Sequence, residues 1–275
     1  MKKHLSTFLF SIALFAGLAL LLYPTFSDWW NSFHQSRAIT DYTQEIANMD
    51  DAKYEQFLRE AREYNEALTK RIGARFMLSE EELLEYNAVL DVSGTGIMGY
   101  IEIPVLQTKL AVYHGTSDAV LASGVGHIEG SSLPVGGEST HCVLSGHRGL
   151  PSAKLFTNLD QLVEGDLFLL HTLDETLTYE VDQIRIVEPR EIGDLYIEEG
   201  MDYCTLVTCT PYSINTHRLL VRGHRIETKK VAGTARVSAD AIQIEPLLVA
   251  IFVAVLISMI LLAVLFLQTR KKKRS

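Results

Sequence analysis

Two strands joined by a turn-rich loop are predicted by the stretch Thr205-Leu-Val-Thr-Cys-Thr-Pro-Tyr-Ser-Ile-Asn-Thr-His-Arg-Leu-Leu-Val-Arg-Gly-His-Arg225. Residues 205–208 are β-branched or apolar, which favours a buried strand. Pro211 removes a backbone donor, and the Ser and Asn that follow favour a turn. Cys209 therefore ends the first strand and Arg218 begins the second. Across such a hairpin a thiol and a guanidinium can face each other, as a thiol nucleophile and an oxyanion-stabilising cation require.

Both ends of the 275-residue chain are apolar enough to span a membrane. Residues 5–23 and residues 247–267 carry no charged side chain, and the second run would be roughly 31 Å long as a helix. Basic residues lie outside both runs, which predicts cytoplasmic termini and an exterior central domain. The first run exceeds a usual signal-peptide core and no A-x-A site follows, so an uncleaved anchor is favoured over a cleaved signal.

Charge and cysteine usage narrow the class of protein further. The formal net charge is −9, and the basic residues gathered at the two ends leave the central domain more acidic still. This charge argues against nucleic acid as a partner. The three cysteines, Cys142, Cys204 and Cys209, are an odd number in an exterior domain, so at least one is unpaired. Their spacing matches no zinc site. Cys209 is the best candidate nucleophile by position, with an inert buried thiol as the alternative.

The middle of the chain changes from a helical to a strand pattern. Apolar residues recur at three and four residues between positions 39 and 68, with a cap at Asp50 and a capping box at Ser79. Glycines at 94, 96 and 99 mark a junction. Period-two segments then predict seven strands without long intervening helices, at 100–103, 109–113, 141–144, 166–171, 177–187, 205–209 and 218–226. A mixed or antiparallel barrel fits this order better than a parallel sheet.

A thiol nucleophile also needs a base, and the chain has nine histidines. His147 ends a predicted strand within Ser-Gly-His-Arg-Gly, where flanking glycines permit a sharp turn that leaves the imidazole exposed. From spacing alone His147 is the leading candidate. Four other histidines stay open as alternatives: His114, His127, His217 and His224.

The hairpin stretch resembles the active-site signature of sortases, and more narrowly that of class C, the pilin-polymerising sortases of Gram-positive bacteria. Further stretches agree with this family: Met98-Gly-Tyr-Ile-Glu-Ile-Pro104, Gly124-Val-Gly-His-Ile-Glu-Gly130, Leu133-Pro-Val-Gly-Gly137 and Ser145-Gly-His-Arg-Gly-Leu-Pro-Ser-Ala-Lys-Leu-Phe156. The resemblance covers roughly residues 98–226.

The resemblance implies a mainly β fold: an eight-stranded sortase-type β-barrel preceded by N-terminal helices, with a transmembrane helix at each end. The resulting division is a cytoplasmic N-terminus 1–4, a first span 5–23, a helical region 24–97, a catalytic barrel 98–228, a tether 229–246, a second span 247–267 and a basic cytoplasmic tail 268–275. The protein would be held in the cell membrane by its two spans, with the catalytic barrel outside the cell.

The resemblance also implies an activity. Cys209 matches the family's nucleophile, His147 its catalytic histidine and Arg218 its catalytic arginine. Together they would cleave an LPXTG-type signal between Thr and Gly through a thioacyl-enzyme, and a lysine of another pilin subunit would resolve that intermediate. The partners implied are pilins bearing the signal and an acceptor lysine. No cofactor and no metal are needed.

One segment departs from the family pattern. Class C sortases usually carry a lid with an Asp-Pro-aromatic motif, and the matching region here, within residues 71–78, has no Asp-Pro pair. The hypothesis is a weakly held lid, with Arg75, Phe76 and Met77 as its candidate residues.

Three other functions stay open at this point. A sortase that anchors single proteins would use an amine of a cell-wall precursor as acceptor. A cysteine protease would let water resolve the acyl-enzyme. A non-catalytic surface barrel that scaffolds pilin assembly would have no use for the thiol of Cys209.

Overall fold

Eight strands carry the fold in the computed structural model, which describes residues 2–71 and 75–228, with side chains from residue 11 onward. They are β1 (Ile97–Ile103), β2 (Thr108–His114), β3 (Val125–His127), β4 (Thr140–Ser145), β5 (Leu167–Thr172), β6 (Glu175–Val187), β7 (Asp202–Thr210) and β8 (His217–Ile226). The strands close into a barrel in the order β1-β2-β3-β4-β7-β8-β6-β5. The β2–β3 and β4–β7 pairs are parallel and the others are antiparallel, so of the two predicted arrangements, mixed or antiparallel, the barrel has the mixed one.

The barrel interior is filled by inward-facing side chains rather than left open. Phe168 and Tyr179 stack with ring centroids 5.5 Å apart, and both are fully buried. Along β7, Cys204 and Leu206 belong to this interior core. Because side chains alternate along a strand, Thr205, Val207 and Cys209 lie on the opposite, outer face of the barrel. This alternation places the candidate nucleophile on the barrel's exterior.

Strand β3 is the strand that the residue pattern missed. It is three residues long and has a glycine in the middle. The segments on either side also contain glycine, at positions 124 and 130. Such a segment shows no period-two pattern because it is too short and too poor in side chains. Pairing with β2 and β4 closes the barrel, so its strand identity comes from long-range hydrogen bonds.

Within the part of the chain that the structure describes, four α-helices accompany the barrel: α1 (Lys2–Ala47), α2 (Asp51–Thr69), α3 (Glu80–Ala88) and the short α4 (Asp118–Ser123). The predicted caps are confirmed. The Asp50 side chain accepts from the Lys53 amide at 2.8 Å, and Ser79 and Glu82 form a reciprocal capping box. A proline inside a helical pattern usually marks a helix end, but α1 continues through Pro24.

Residues Phe26–Thr228 form one compact unit, in which α1 and α2 are fastened to the barrel by buried polar side chains. The Tyr42 hydroxyl donates to the Met98 carbonyl at 3.0 Å and accepts from the Leu173 amide at 2.7 Å. The Asn65 amide group makes two hydrogen bonds with the backbone of Leu133, at 3.1 and 2.7 Å. The apolar helical stripes therefore cover the barrel.

The N-terminal part of α1 has the composition of a membrane anchor. Among the described residues, Ser11–Ala47 is the one helical stretch long and apolar enough to cross a bilayer, and its most apolar 18-residue window has a mean hydropathy of 1.4. Beyond the predicted first span, this helix exposes large aromatic side chains, among them Trp29 and Trp30. The predicted tether, second span and basic tail at residues 229–275 lie outside the described residues.

Candidate active site

Cys209 and Arg218 are cross-strand partners next to the connecting loop of the β7–β8 hairpin. Directly opposite residues of an antiparallel pair project from the same face, with Cβ atoms about 5 Å apart. Cys209 is a half-buried free thiol. The Arg218 Nη1 donates to the carbonyl oxygens of Asn215 at 3.3 Å and His217 at 3.1 Å. These backbone bonds hold the guanidinium near the turn, on the same outer face as the thiol.

His147 reaches the same end of the barrel through the parallel pair of β4 and β7. Ser145 is the register partner of Val207. The pairing continues beyond the strand, because the Gly146 amide donates to the Val207 carbonyl at 3.0 Å and the Thr208 hydroxyl donates to the Gly146 carbonyl at 2.7 Å. Extending the Ser145–Val207 register by two residues sets the backbone of His147 beside that of Cys209. Two sheet pairings thus bring His147, which is distant in sequence, to the barrel end that carries Cys209 and Arg218.

The position before His147 requires glycine for steric reasons. A Cβ atom at Gly146 would lie 2.6 Å from the Phe156 ring. The same Phe156 donates its amide to the His147 carbonyl at 3.1 Å. The ring of Phe156 is fully buried, so it cannot move aside cheaply. The motif therefore sets the backbone path that leads into His147.

Arg148 connects the loops that follow β4 and β7, a role that the sequence analysis did not assign. Its guanidinium donates to the Thr210 hydroxyl at 3.2 Å, forms an ion pair with Asp160 and lies 6.0 Å from the ring of Tyr212. Thr210 directly follows Cys209, and Arg148 directly follows His147. Only about a tenth of the Arg148 side chain is exposed, so these contacts fix both loops. The one sequence feature that could have identified Arg148 is its position directly after His147 in Ser-Gly-His-Arg-Gly.

The other histidines occupy different surroundings. His127 is fully buried and bonds to the Tyr86 hydroxyl at 2.9 Å and the Ser132 carbonyl at 2.8 Å. His114 is buried against two backbone carbonyls, and burial lowers its pKa. His224 lies near the opposite end of β8, 3.8 Å from Asp182. His217 is exposed next to Arg218, but neighbouring strand residues project from opposite faces.

A small apolar patch lies on the outer face beside Cys209. It consists of five buried side chains from β4, β6, β7, β8 and the segment before β7, and we name it the outer cluster: Val143, Val187, Leu195, Val207 and Leu220. Val207 and Leu220 are register partners, and each is two residues from Cys209 or Arg218 on the same face. Phe76 packs against this cluster. The cluster therefore links the candidate lid to the strand face that carries the thiol.

The candidate lid residues are placed unequally. Arg75 is buried, donates to the Leu68 carbonyl at 3.2 Å and lies 6.0 Å from the ring of Tyr196. Burial lowers the pKa of this guanidinium. The Phe76 and Tyr196 ring centroids are 6.2 Å apart, whereas Met77 is 78% exposed. Arg75 and Phe76 thus contact the barrel, and Met77 lies mostly in solvent.

Gly130 is the contact point beneath this segment. Its φ of +83° suits glycine, and a Cβ atom there would overlap the carbonyl oxygen of Arg75. The backbone of residues 75–76 therefore lies directly on the loop after β3. Two further polar atoms of Arg75, Nε and Nη1, are buried and have no hydrogen-bond partner among the described residues, which exclude 72–74. An incompletely satisfied buried guanidinium costs free energy, which weakens the docking of the segment.

Comparisons with known proteins agree with this geometry. Residues 101–226 match the model of the sortase domain. Sortase C1 from Streptococcus agalactiae is 53% identical, with a TM-score of 0.68 over 70% of this chain and 100% of that one. Sortase C from Streptococcus pneumoniae is 45% identical, with a TM-score of 0.61 over 69% and 96% of the two chains. Sortase C from Clostridium perfringens is also 45% identical, with a TM-score of 0.61 over 70% and 99%.

These likenesses extend over nearly the whole of each solved chain and well beyond the barrel alone. They agree with the resemblance seen in the hairpin stretch, and they favour an enzyme over a scaffold that binds without reacting. The chain belongs to the sortase family, within class C, and is a cysteine transpeptidase.

Proposed function

We propose that the protein polymerises pilins, with Cys209 as nucleophile, His147 as proton donor and acceptor, and Arg218 as the group that stabilises the oxyanion. The observation that carries the assignment is the pairing of Cys209 with Arg218 on one strand face. The parallel β4–β7 register adds His147 to the same end. The class of the solved relatives supports pilin as substrate, since the Streptococcus pneumoniae structure is described in terms of pilin substrate specificity.

The first half of the reaction forms a thioester. The Cys209 sulfur attacks the Thr carbonyl carbon of an LPXTG-type signal, and negative charge develops on the carbonyl oxygen. The Arg218 guanidinium offers N–H donors to that oxygen. His147 gives a proton to the glycine amine as the Thr–Gly bond breaks. The signal's N-terminal part stays bound to Cys209 as a thioacyl group, and its C-terminal part leaves.

The second half joins two proteins. A lysine amine on another pilin attacks the thioester carbonyl, and His147 takes the proton that the amine loses. The Cys209 thiolate leaves and an isopeptide bond remains. The same chemistry would accept an amine of a cell-wall precursor, so the acceptor distinguishes pilin polymerisation from single-protein anchoring.

The proposed location follows from the apolar ends of the chain. The N-terminal helix is long and apolar enough for membrane anchoring. We propose a second span at residues 247–267, cytoplasmic termini and an exterior barrel, because basic residues flank the two apolar runs on their outer ends. Anchoring at the surface would hold the barrel where secreted pilins emerge.

The acceptor can be identified with the full chain in detergent and an LPXTG peptide as donor. Intact mass spectrometry is expected to show a peptide adduct on the enzyme. A pilin fragment with a lysine should discharge that adduct and carry the peptide on its lysine, whereas the same fragment with Lys→Arg should not. Transfer only to a wall-type peptide amine would identify an anchoring sortase. Release only as the free acid would identify a hydrolase.

We further propose that residues 75–77 act as the lid over the outer face. A methyl group in a filled contact costs about 1–3 kcal/mol, so Gly130→Ala is expected to dislodge Arg75 and raise the rate of Cys209 alkylation by iodoacetamide about tenfold. Gly200→Ala is the matched control, because its φ of +79° carries the same backbone strain and no atom of the described residues lies within 4 Å of the added Cβ. Equal alkylation rates in the two variants would contradict a lid docked on Gly130.

A further inference from the structure

Two cysteines outside the proposed mechanism face each other inside the barrel. Cys142 on β4 and Cys204 on β7 are register partners in the parallel pair. Both are buried reduced thiols that belong to the interior core. Neighbouring strands lie about 4.8 Å apart, which falls within the Cα separation of about 4.4–6.8 Å that a disulfide accepts. The topology therefore brings together two thiols that are far apart in sequence.

The third cysteine is excluded from this pair by its position. Cys209 follows Cys204 by five residues on the same strand, about 16 Å along it, and an odd separation places it on the opposite face. Cys142 therefore has Cys204 as its neighbour and not Cys209. Pairing the two interior thiols would leave the proposed nucleophile as the single free thiol of an exterior domain, which accounts for the odd number of cysteines.

We propose that Cys142 and Cys204 are an oxidation site, joined by a disulfide when the chain folds in an oxidising compartment. The oxidant is a small disulfide of the glutathione type, met before the barrel closes over the two thiols. One cysteine thiolate attacks it, forms a mixed disulfide and releases one glutathione thiol. The second cysteine, having lost its proton, attacks that mixed disulfide and releases the other. Two protein thiols are oxidised and one glutathione disulfide is reduced.

The crosslink would fix the pairing register of β4 and β7, which brings His147 next to Cys209. Cys142 lies five residues before His147, and Cys204 lies five residues before Cys209, on strands that run in parallel. A covalent bond between them fixes the two strands against slippage. This consequence rests on the proposed function, whereas the existence of the bond does not.

The bond is tested on the full chain carrying Cys209→Ala, in detergent, so that the interior pair holds the only thiols. The protein is unfolded and refolded in reduced and oxidised glutathione, quenched with acid, and alkylated in denaturant. We expect no alkylated thiol and a digest in which the peptides of residues 142 and 204 are linked. Prior reduction should restore two alkylated thiols. Two alkylated thiols in an oxidatively refolded barrel, or a link between chains, would overturn the proposal.

A second measurement, denaturant unfolding, tests whether the disulfide stabilises the barrel. A crosslink that closes a long loop raises stability, so the oxidised protein should unfold at a higher denaturant concentration than the reduced protein. Cys142→Ala, which has no partner for Cys204, should show no such shift between the two conditions. An equal shift in Cys142→Ala would overturn the assignment. A linked wild-type protein that forms no adduct with any LPXTG peptide would refute the proposed function and leave the disulfide standing.

Discussion

Cys209→Ala is expected to form no thioacyl adduct and to lower peptide transfer by roughly 10⁴-fold or more, as for removal of other covalent nucleophiles. The reason is that, in the proposed mechanism, the outward-facing thiol paired with Arg218 is the sulfur that attacks the bound peptide. Intact mass spectrometry of the full chain with an LPXTG donor checks the adduct. Transfer to a lysine-bearing pilin fragment checks the rate.

The interior cysteines provide the matched controls for this prediction. Cys142→Ala and Cys204→Ala remove the same atom from the barrel core, where no substrate carbonyl can reach. Both variants should therefore keep forming the adduct, even if they unfold at lower denaturant concentration. An adduct that persists in Cys209→Ala, or one that disappears in Cys204→Ala while the barrel stays folded, would show that Cys209 is not the nucleophile.

The hairpin was predictable because its two strands are neighbours in the chain. A strand end at Cys209, turn residues after it and a strand start at Arg218 are local signals, and antiparallel pairing of consecutive strands is the default. The pairing observed in the structure agrees with that interpretation. Strand β3 gave no such signal, because three residues with a central glycine become a strand only by pairing with β2 and β4.

The place of His147 could not be settled from residue spacing. It depends on β4 pairing with β7, two strands separated by roughly sixty residues, and spacing left several histidines open. The same pairing explains why Arg148 was missed, since its hydrogen bond to Thr210 exists only when the two loops meet. The resemblance to class C sortases singled out His147, because the family motif identifies the histidine that lies near the cysteine in the folded family.

The contacts of the candidate lid could not be predicted from the sequence, for a third reason. An absent Asp-Pro pair indicates what the segment lacks, but not what replaces it. In the structure Phe76 packs on the outer cluster, and Arg75 is buried near Tyr196. Tyr196 lies on the segment between β6 and β7, far along the chain, so no local pattern connects it with residue 75. The contact on Gly130 likewise joins two loops that only the folded barrel brings together.

Arg218→Ala is expected to lower the rate of acylation about 10²–10³-fold, which is the usual cost of removing one preorganised oxyanion donor. Arg218→Lys should recover only part of that loss, because a lysine restores the charge without the planar fork of N–H donors. Single-turnover mass spectrometry of the thioacyl adduct measures the step directly. Substrate affinity should change less than this rate, since the developing charge exists only in the transition state.

Arg185→Ala is the control for this arginine. Arg185 lies on the neighbouring strand β6, is half exposed and pairs with Asp194 at 2.6 Å, so its removal deletes a similar surface charge from a residue that is not the cross-strand partner of Cys209. Its acylation rate should stay near that of the unmodified protein. Comparable losses in the two variants would point to general electrostatic attraction of the peptide. A loss confined to Arg218→Ala would show that the register with Cys209, rather than charge alone, determines the rate.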